Sequence, residues 1–244
     1  MPIPSLLKKY LMALTGFIMV GFLFIHMLGN LQMFQGPAAM NGYAHFLKSL
    51  PVAVLWGFRL VLLLAVGVHV WMAILLTREN QAARPGAYAK KACRQATLSS
   101  RTMGISGSFI LFFLVFHILH FTTRVIFPEY QDLSLYTDPV SGFFDVYEMV
   151  VNSFSKPWVL GLYAVGMFFV CLHLSHAVWS MFQTLGWANA RVRGSLKFFA
   201  KLYAIVLFVG FMSTPIAVAM GWLPSSREDG YLFIVEEMVE TPFL

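Results

Sequence analysis

The sequence predicts an all-α integral membrane protein with five transmembrane helices, its N-terminus inside and its C-terminus outside. Three observations predict it. Of 244 residues, 59% are hydrophobic and 11% charged, whereas an ordinary soluble domain carries about 25% charged residues. Five apolar runs are long enough to cross ~30 Å of hydrocarbon, which takes roughly 20 helical residues. The cations gather in the segments that join these runs on one side.

The first run, residues 11–34, follows Lys8-Lys9. It continues past signal-peptide length without a convincing small-residue cleavage site, so it is expected to remain as a helix. The second, residues 52–76, has Arg59 near its outer end and Arg78 just beyond its inner end. The third, residues 102–123, lies between Arg101 and Arg124. The fourth, residues 158–183, follows Lys156, and the fifth, residues 202–223, follows Lys197 and Lys201. Trp56, Trp71, Trp158, Trp179, Trp187 and Trp222 cluster toward helix ends, as interfacial aromatic belts do. The many methionines read as packing.

With the N-terminus inside, the inner segments hold Lys8, Lys9, Arg78, Arg84, Lys90, Lys91, Arg94, Arg101, Arg191, Arg193, Lys197 and Lys201, twelve of the 17 cations. The outer side keeps Lys48, Arg59, Arg124, Lys156 and Arg227. The positive-inside rule therefore selects N-in, C-out. Apart from Glu79, the acids fall outside, including Glu129, Asp132, Asp138 and the tail acids Glu236, Glu237 and Glu240. Two regions result: a membrane domain over residues 1–223 and an acidic extracytoplasmic tail over 224–244. The net charge of +6 reflects topology, and no nucleic-acid partner is expected. The basic inner face suits lipid headgroups or the docking of a soluble partner, and residues 82–100 within it are expected to be partly helical. In the long outer loop, Phe143, Val146, Tyr147, Val150, Val151 and Phe154 recur at helical spacing. That pattern predicts a short helix over 143–154 lying on the membrane surface. Cys93 and Cys171 are far apart, so no disulfide is expected, and no C-x-x-C-H string exists for covalent haem attachment.

Four of seven histidines lie deep within the apolar runs, one in each of the first four: His26, His69, His117 and His173. An ionisable side chain in hydrocarbon is unfavourable unless it has a use. At ~1.5 Å rise per residue, His26 and His117 each lie about 22 Å from the inner start of their helices. Counted from the outside, His69 lies about 26 Å and His173 about 22 Å along theirs. The four sort by depth into an outer pair, His26/His117, and an inner pair, His69/His173. Two imidazoles at one depth on facing helices are what axial ligation of a b-type haem requires, and a bundle core is a usual place for such cofactors. The expectation is a bundle enclosing two b-type haems.

Glycines follow the same pairing. Gly16 and Gly107 each precede the histidine of their helix by ten residues, in Thr15-Gly16-Phe17 and Ser106-Gly107-Ser108. Both fall near the inner pair's depth. Gly57 and Gly161 precede His69 and His173 by twelve, near the outer pair's depth. A glycine lets a flat macrocycle approach the backbone, although close packing between membrane helices explains one equally well. His120 and His176 follow His117 and His173 by three residues, on nearly the same helix faces. They are candidates for a haem propionate or a quinone; a second metal site lacks the carboxylates or thiolates to complete it. Arg59, Arg124, Arg78 and Arg101 can pair with anionic propionates or anchor helix ends by snorkelling. His45, in Tyr43-Ala44-His45-Phe46, is an interfacial histidine or a proton-exchange group beside a quinone.

At this point the residues resemble a known family. The strings Lys8-Lys9-Tyr10-Leu11-Met12-Ala13-Leu14-Thr15-Gly16, His26-Met27-Leu28-Gly29-Asn30-Leu31, Tyr43-Ala44-His45-Phe46 and Ser49-Leu50-Pro51 come in order. His69, Ser106-Gly107 leading to His117, and Leu160-Gly161-Leu162-Tyr163 leading to His173-Leu174-Ser175-His176-Ala177-Val178-Trp179-Ser180 complete the series. In order and spacing, over nearly all of residues 1–223, they resemble the single-chain, five-helix, di-haem cytochrome b558 membrane subunit of succinate dehydrogenases and fumarate reductases. The resemblance implies His69 and His173 on the haem nearer the soluble subunits and His26 and His117 on the farther one. It implies partners on the cytoplasmic side, a flavoprotein with covalent FAD and an iron–sulfur protein, in a bacterial cytoplasmic membrane. Succinate and fumarate chemistry would belong to the flavoprotein. This chain would be the quinone-reactive subunit, with menaquinone near the outer haem and Asn30, Gln32 and His45 as polar candidates beside it. One departure stands out: some di-haem relatives place a glutamate two residues before the helix-4 ligand as a proton path, and here that residue is Cys171. Two rivals share the buried histidines: the cytochrome b of a hydrogenase, formate dehydrogenase or nitrate reductase, and a transporter whose histidines bind a metal or relay protons.

Overall fold

The computed structural model describes residues 3–83 and 102–227. The basic segment 84–101, which contains Cys93 and Arg101, and the acidic tail 228–244 lie outside the described residues. Among those described the chain is helical, with one isolated antiparallel bridge between Thr137 and Phe144 and no strand. The long helices are α1 (Ser5–Asn30), α3 (Val52–Ala82), α4 (Met103–His117), α6 (Pro157–Thr184) and α7 (Arg193–Ala219). Between them lie the short helices α2 (Pro37–Ser49) and α5 (Val146–Phe154). With the turns that extend α1 and α4, five spans are long and apolar enough to cross a membrane.

Two helices begin well before their apolar runs do. Helix α1 starts at Ser5 and α7 at Arg193, where hydropathy alone marks residues 11 and 202. Hydropathy locates the part of a helix that meets hydrocarbon, whereas backbone hydrogen bonding continues into the polar first turns. Helix α7 also ends sooner, at Ala219, because Gly221 takes φ +73°. Its turn returns the Gly221 and Trp222 N–H groups to the Val218 and Ala217 carbonyls, the usual glycine closure of a helix.

The chain divides into two compact units. Among the described residues the first comprises 3–25, 51–83, 102–110 and 168–208. Its core is drawn from single helix faces: Ala65, Met72 and Leu76 on α3, Val170, Leu174 and Val178 on α6, and Ala200, Ala204 and Leu207 on α7 are all buried. Spacings of three, four and seven residues put each set on one stripe. Leu63, Leu64, Phe198 and Ile205 face outward, as apolar residues do toward lipid. Lys8 is buried and ion-paired with Glu79.

Among the described residues the second unit comprises 26–50, 111–167 and 209–227. Helix α1 passes into a 3-10 turn, Leu31–Gln35, which Gly36 closes at φ +91°. That left-handed value suits glycine alone without strain. Pro37 then occupies the first turn of α2, where its missing N–H costs nothing. The apolar pattern had marked no helix here; the Gly-Pro junction was the available sign. Helix α5 differs from the amphipathic surface helix expected over 143–154. Asp145 caps it by accepting from the Glu148 N–H at 3.0 Å, and nearly all its residues are buried. The segment beyond α7 covers it: Tyr147 donates to the Pro224 carbonyl, and the Glu148 carboxylate accepts from Ser225 Oγ and from the N–H and Oγ of Ser226. Helix α2 meets its start through Asn41, which is fully buried. The Asn41 amide donates to Asp138 Oδ2 at 3.1 Å and Asp145 Oδ1 at 3.0 Å, and its oxygen accepts from the Tyr147 N–H at 3.0 Å.

Candidate cofactor sites

Each unit brings two of the four deep histidines together. In the first, α3 carries His69 and α6 carries His173, with ring centres 6.5 Å apart and planes at 61°. His69 shares its helix stripe with the core residues Ala65, Met72 and Leu76. The Met12 carbonyl lies 3.1 Å from His69 Nδ1. A carbonyl only accepts, so Nδ1 carries the proton and Nε2 has the lone pair. Thr15 Oγ1, which donates to the Leu11 carbonyl at 2.7 Å, lies 3.3 Å from the same Nδ1. His173 is held alike: Ser106 Oγ lies 3.1 Å from its Nδ1 and donates to the Met103 carbonyl. The residues before Gly16 and Gly107 thus supply the hydroxyls.

The glycines themselves stand beside the same rings. A Cβ on Gly16 would lie 3.6 Å from His69 Cε1, and one on Gly107 3.6 Å from His173 Cε1. That is ordinary contact, so alanine fits while a branched side chain would enter the space of the imidazole. Gly107→Leu is expected to abolish cofactor retention at this pair and Gly107→Ala to keep it, read as bound haem per protein. Equal retention in both variants would mean that the backbone here approaches no ligand. A Cβ on Gly57 or Gly161 would meet no atom within 4 Å.

In the second unit, His26 of α1 and His117 of α4 have ring centres 5.8 Å apart with planes at 76°. His117 ends α4, and a π-turn, Ile118–Thr122, follows at once. Such wide turns are frequent at functional sites. His117 Nδ1 lies 3.3 Å from the Tyr163 hydroxyl of α6. The Asn30 amide donates to the His26 carbonyl at 2.8 Å and approaches His26 Nε2 at 3.5 Å.

Both pairs fit a haem iron. Two imidazoles that bind one ion through nitrogens ~2 Å from it hold their ring centres about 6 Å apart. The observed 6.5 and 5.8 Å bracket that value. Among the described residues no group of three or more His, Cys, Asp or Glu is placed to hold a metal. A bare zinc site needs three or four protein ligands, whereas a porphyrin supplies four and asks the protein for two.

The remaining candidates are dispersed. His120 is fully buried, with Nδ1 3.0 Å from the Tyr163 hydroxyl and Nε2 3.1 Å from Ser153 Oγ. Both ring nitrogens are engaged within the protein. His176 is half-buried one turn beyond His173 on α6. His45 is exposed on α2 and stacks on Phe143 at 3.7 Å. Gln32 is half-buried in the 3-10 turn. Arg59 lies over the Trp56 ring at 5.1 Å, and Arg78 is exposed near the end of α3. Arg124 takes φ +59°, donates to the Tyr130 carbonyl and covers the Phe144 ring at 4.4 Å. The sequence pattern marks no role for Tyr163, Ser153 or Tyr130. Only Tyr163 carries a sign, a polar group within a span at the depth of His117.

No family model matches the chain, and no solved structure matches it. Over 180 residues it is 28% identical to the succinate dehydrogenase cytochrome b558 subunit of Bacillus subtilis (strain 168), covering 73% of this chain and 79% of that protein. The likeness extends well beyond any one histidine string, and the relative carries the name of the family that the ordered strings resemble: the chain is similar to a succinate dehydrogenase cytochrome b558 subunit.

Proposed function

We propose that this chain is the membrane anchor and di-haem cytochrome b subunit of a succinate dehydrogenase or fumarate reductase. In this reading it passes electrons between a cytoplasmic iron–sulfur subunit and a membrane quinone, menaquinone by resemblance. His69 and His173 would hold the inner b haem, and His26 and His117 the outer one. The observation that carries the reading is the pairing of four deep histidines across two units, each pair with ring centres near 6 Å. The similarity to the Bacillus cytochrome b558 subunit supports it. The chain lies N-in, C-out in a bacterial cytoplasmic membrane, with the flavoprotein bearing FAD and the iron–sulfur protein on its inner face.

Bound haem would supply a one-electron carrier at each pair. The chain's residues bind and orient it. Met12 and Thr15 hold His69, and Ser106 holds His173, with Nδ1 hydrogen-bonded. Such outer contacts fix the ring's orientation and raise its basicity. The apolar helices keep water away, and the glycines beside His69 and His173 leave room for a flat ring.

A reduced-minus-oxidised spectrum of the chain, expressed with adequate haem, tests the reading. Two b-type contributions are expected, together with co-purification of a flavoprotein and an iron–sulfur protein and succinate:quinone activity of the assembly. No b-type α-band would sink the reading. A b-type signal with a different soluble partner would move the chain to another respiratory oxidoreductase.

A further inference from the structure

His117 is held by a chain of hydrogen bonds whose direction follows from counting protons. Ser153 Oγ lies 2.7 Å from the Met149 carbonyl. That oxygen only accepts, so Ser153 spends its one proton there. The 3.0 Å contact between Ser153 and the Tyr130 hydroxyl is then donated by the tyrosine. Burial pushes the Tyr130 phenol up to about 12, so it keeps its proton. His120 Nε2, 3.1 Å from the same Ser153 Oγ, must also donate. His120 is fully buried among hydroxyls and aromatic rings, where an uncompensated charge is costly. As a neutral ring it has one N–H, so its Nδ1 accepts. The partner at 3.0 Å is the Tyr163 hydroxyl, which therefore donates to His120. With that proton committed, the 3.3 Å contact between Tyr163 and His117 Nδ1 has one arrangement left: His117 donates. The lone pair of His117 is then on Nε2.

We propose that Tyr163, held by His120 and Ser153, is a positioning residue that fixes His117 with its proton on Nδ1 and its lone pair on Nε2, and so tunes the outer haem separately from the inner one. The inference rests on the di-haem reading. The inner ligands have partners of their own, the Met12 carbonyl at His69 and the Ser106 hydroxyl at His173. His69 donates to a backbone carbonyl, which no side-chain change removes. His117 donates to a phenol that a second histidine shares. The π-turn directly after His117 carries His120 into this chain. In the opposite arrangement, with Tyr163 donating to His117, the remaining proton of a neutral His117 would sit on Nε2 and block a metal.

The test is Tyr163→Phe in the assembled, haem-loaded protein, with Ser153→Ala as a second variant that leaves the phenol in place. The readouts are an optical redox titration and resonance Raman spectra of each haem, identified by which signal His117→Ala removes. An N–H donated to an acceptor makes an imidazole a stronger electron donor and favours the oxidised iron. Tyr163→Phe is therefore expected to raise the midpoint potential of the His117-dependent haem, leaving the other unchanged. Ser153→Ala is expected to move the same haem in the same direction by less. Selective loss of that haem alone in Tyr163→Phe also supports the proposal. Wild-type potentials and spectra in both variants would overturn it, as would equal shifts or joint loss of both haems. A wild-type protein without b-type haem would instead overturn the parent reading.

Discussion

His69→Ala and His173→Ala are each expected to remove the same one of two b-type haem signals, and His26→Ala and His117→Ala each to remove the other. Two ligands 6.5 or 5.8 Å apart between ring centres can serve one iron, and with one imidazole gone the remaining histidine cannot hold a low-spin, six-coordinate centre. Haem content per chain should fall from two to one in each single variant. It should stay at one in the double variant His69→Ala/His173→Ala and fall to zero in His69→Ala/His26→Ala. Reduced-minus-oxidised spectra and pyridine haemochrome content measure this. A single variant that strips both signals, or paired variants that strip different ones, would refute the assignment. The units make the prediction sharp, because each histidine pair lies within one unit's own residues.

This pairing was legible because it depends on one dimension only. Rise per residue gives depth along a helix, and at matched depth few combinations remain. His120 shows where that arithmetic stops. Three residues from His117, its spacing alone puts it on nearly the same face, open to a propionate or quinone. The helix instead widens into a π-turn at Ile118, and His120 is enclosed by Tyr163 and Ser153. Hydrogen-bond partners from elements far apart in sequence leave no periodic trace. The same limit hid the buried character of α5. Its apolar spacing is that of an amphipathic helix, but what covers its polar side, including Ser225 and Ser226 on Glu148, comes from beyond α7. The contacts of Thr15 and Ser106 were closer to view. Each precedes a marked glycine, so the backbone approach and the hydroxyl belong to one turn of helix.

The second large effect is expected at Asn41, far in character from the histidines. Its amide donates to two carboxylates, those of Asp138 and Asp145, and its oxygen accepts a backbone N–H from the first turn of α5. All three side chains are buried. Asp138 also accepts from the Val140 N–H, and Asp145 caps α5, while Asp145 Oδ2 has no partner among the described residues. Asn41→Leu would keep the branched heavy-atom skeleton but remove two charge-assisted donors and strand the Tyr147 N–H. Leaving buried groups unsatisfied costs about 1–3 kcal/mol each, more when charged. A total destabilisation of about 3–5 kcal/mol is expected, the range of breaking one partner from a buried charged cluster. Asn41→Asp should be worse at neutral pH, because it replaces a donor by another acceptor facing two acids. The measurement is protease sensitivity of the 124–157 segment in detergent, alongside haem retention at the His26/His117 pair in the same unit. Both variants should be cleaved faster than wild type, Asn41→Asp fastest. Cleavage of Asn41→Leu at the wild-type rate would mean that the two carboxylates draw their stabilisation from elsewhere.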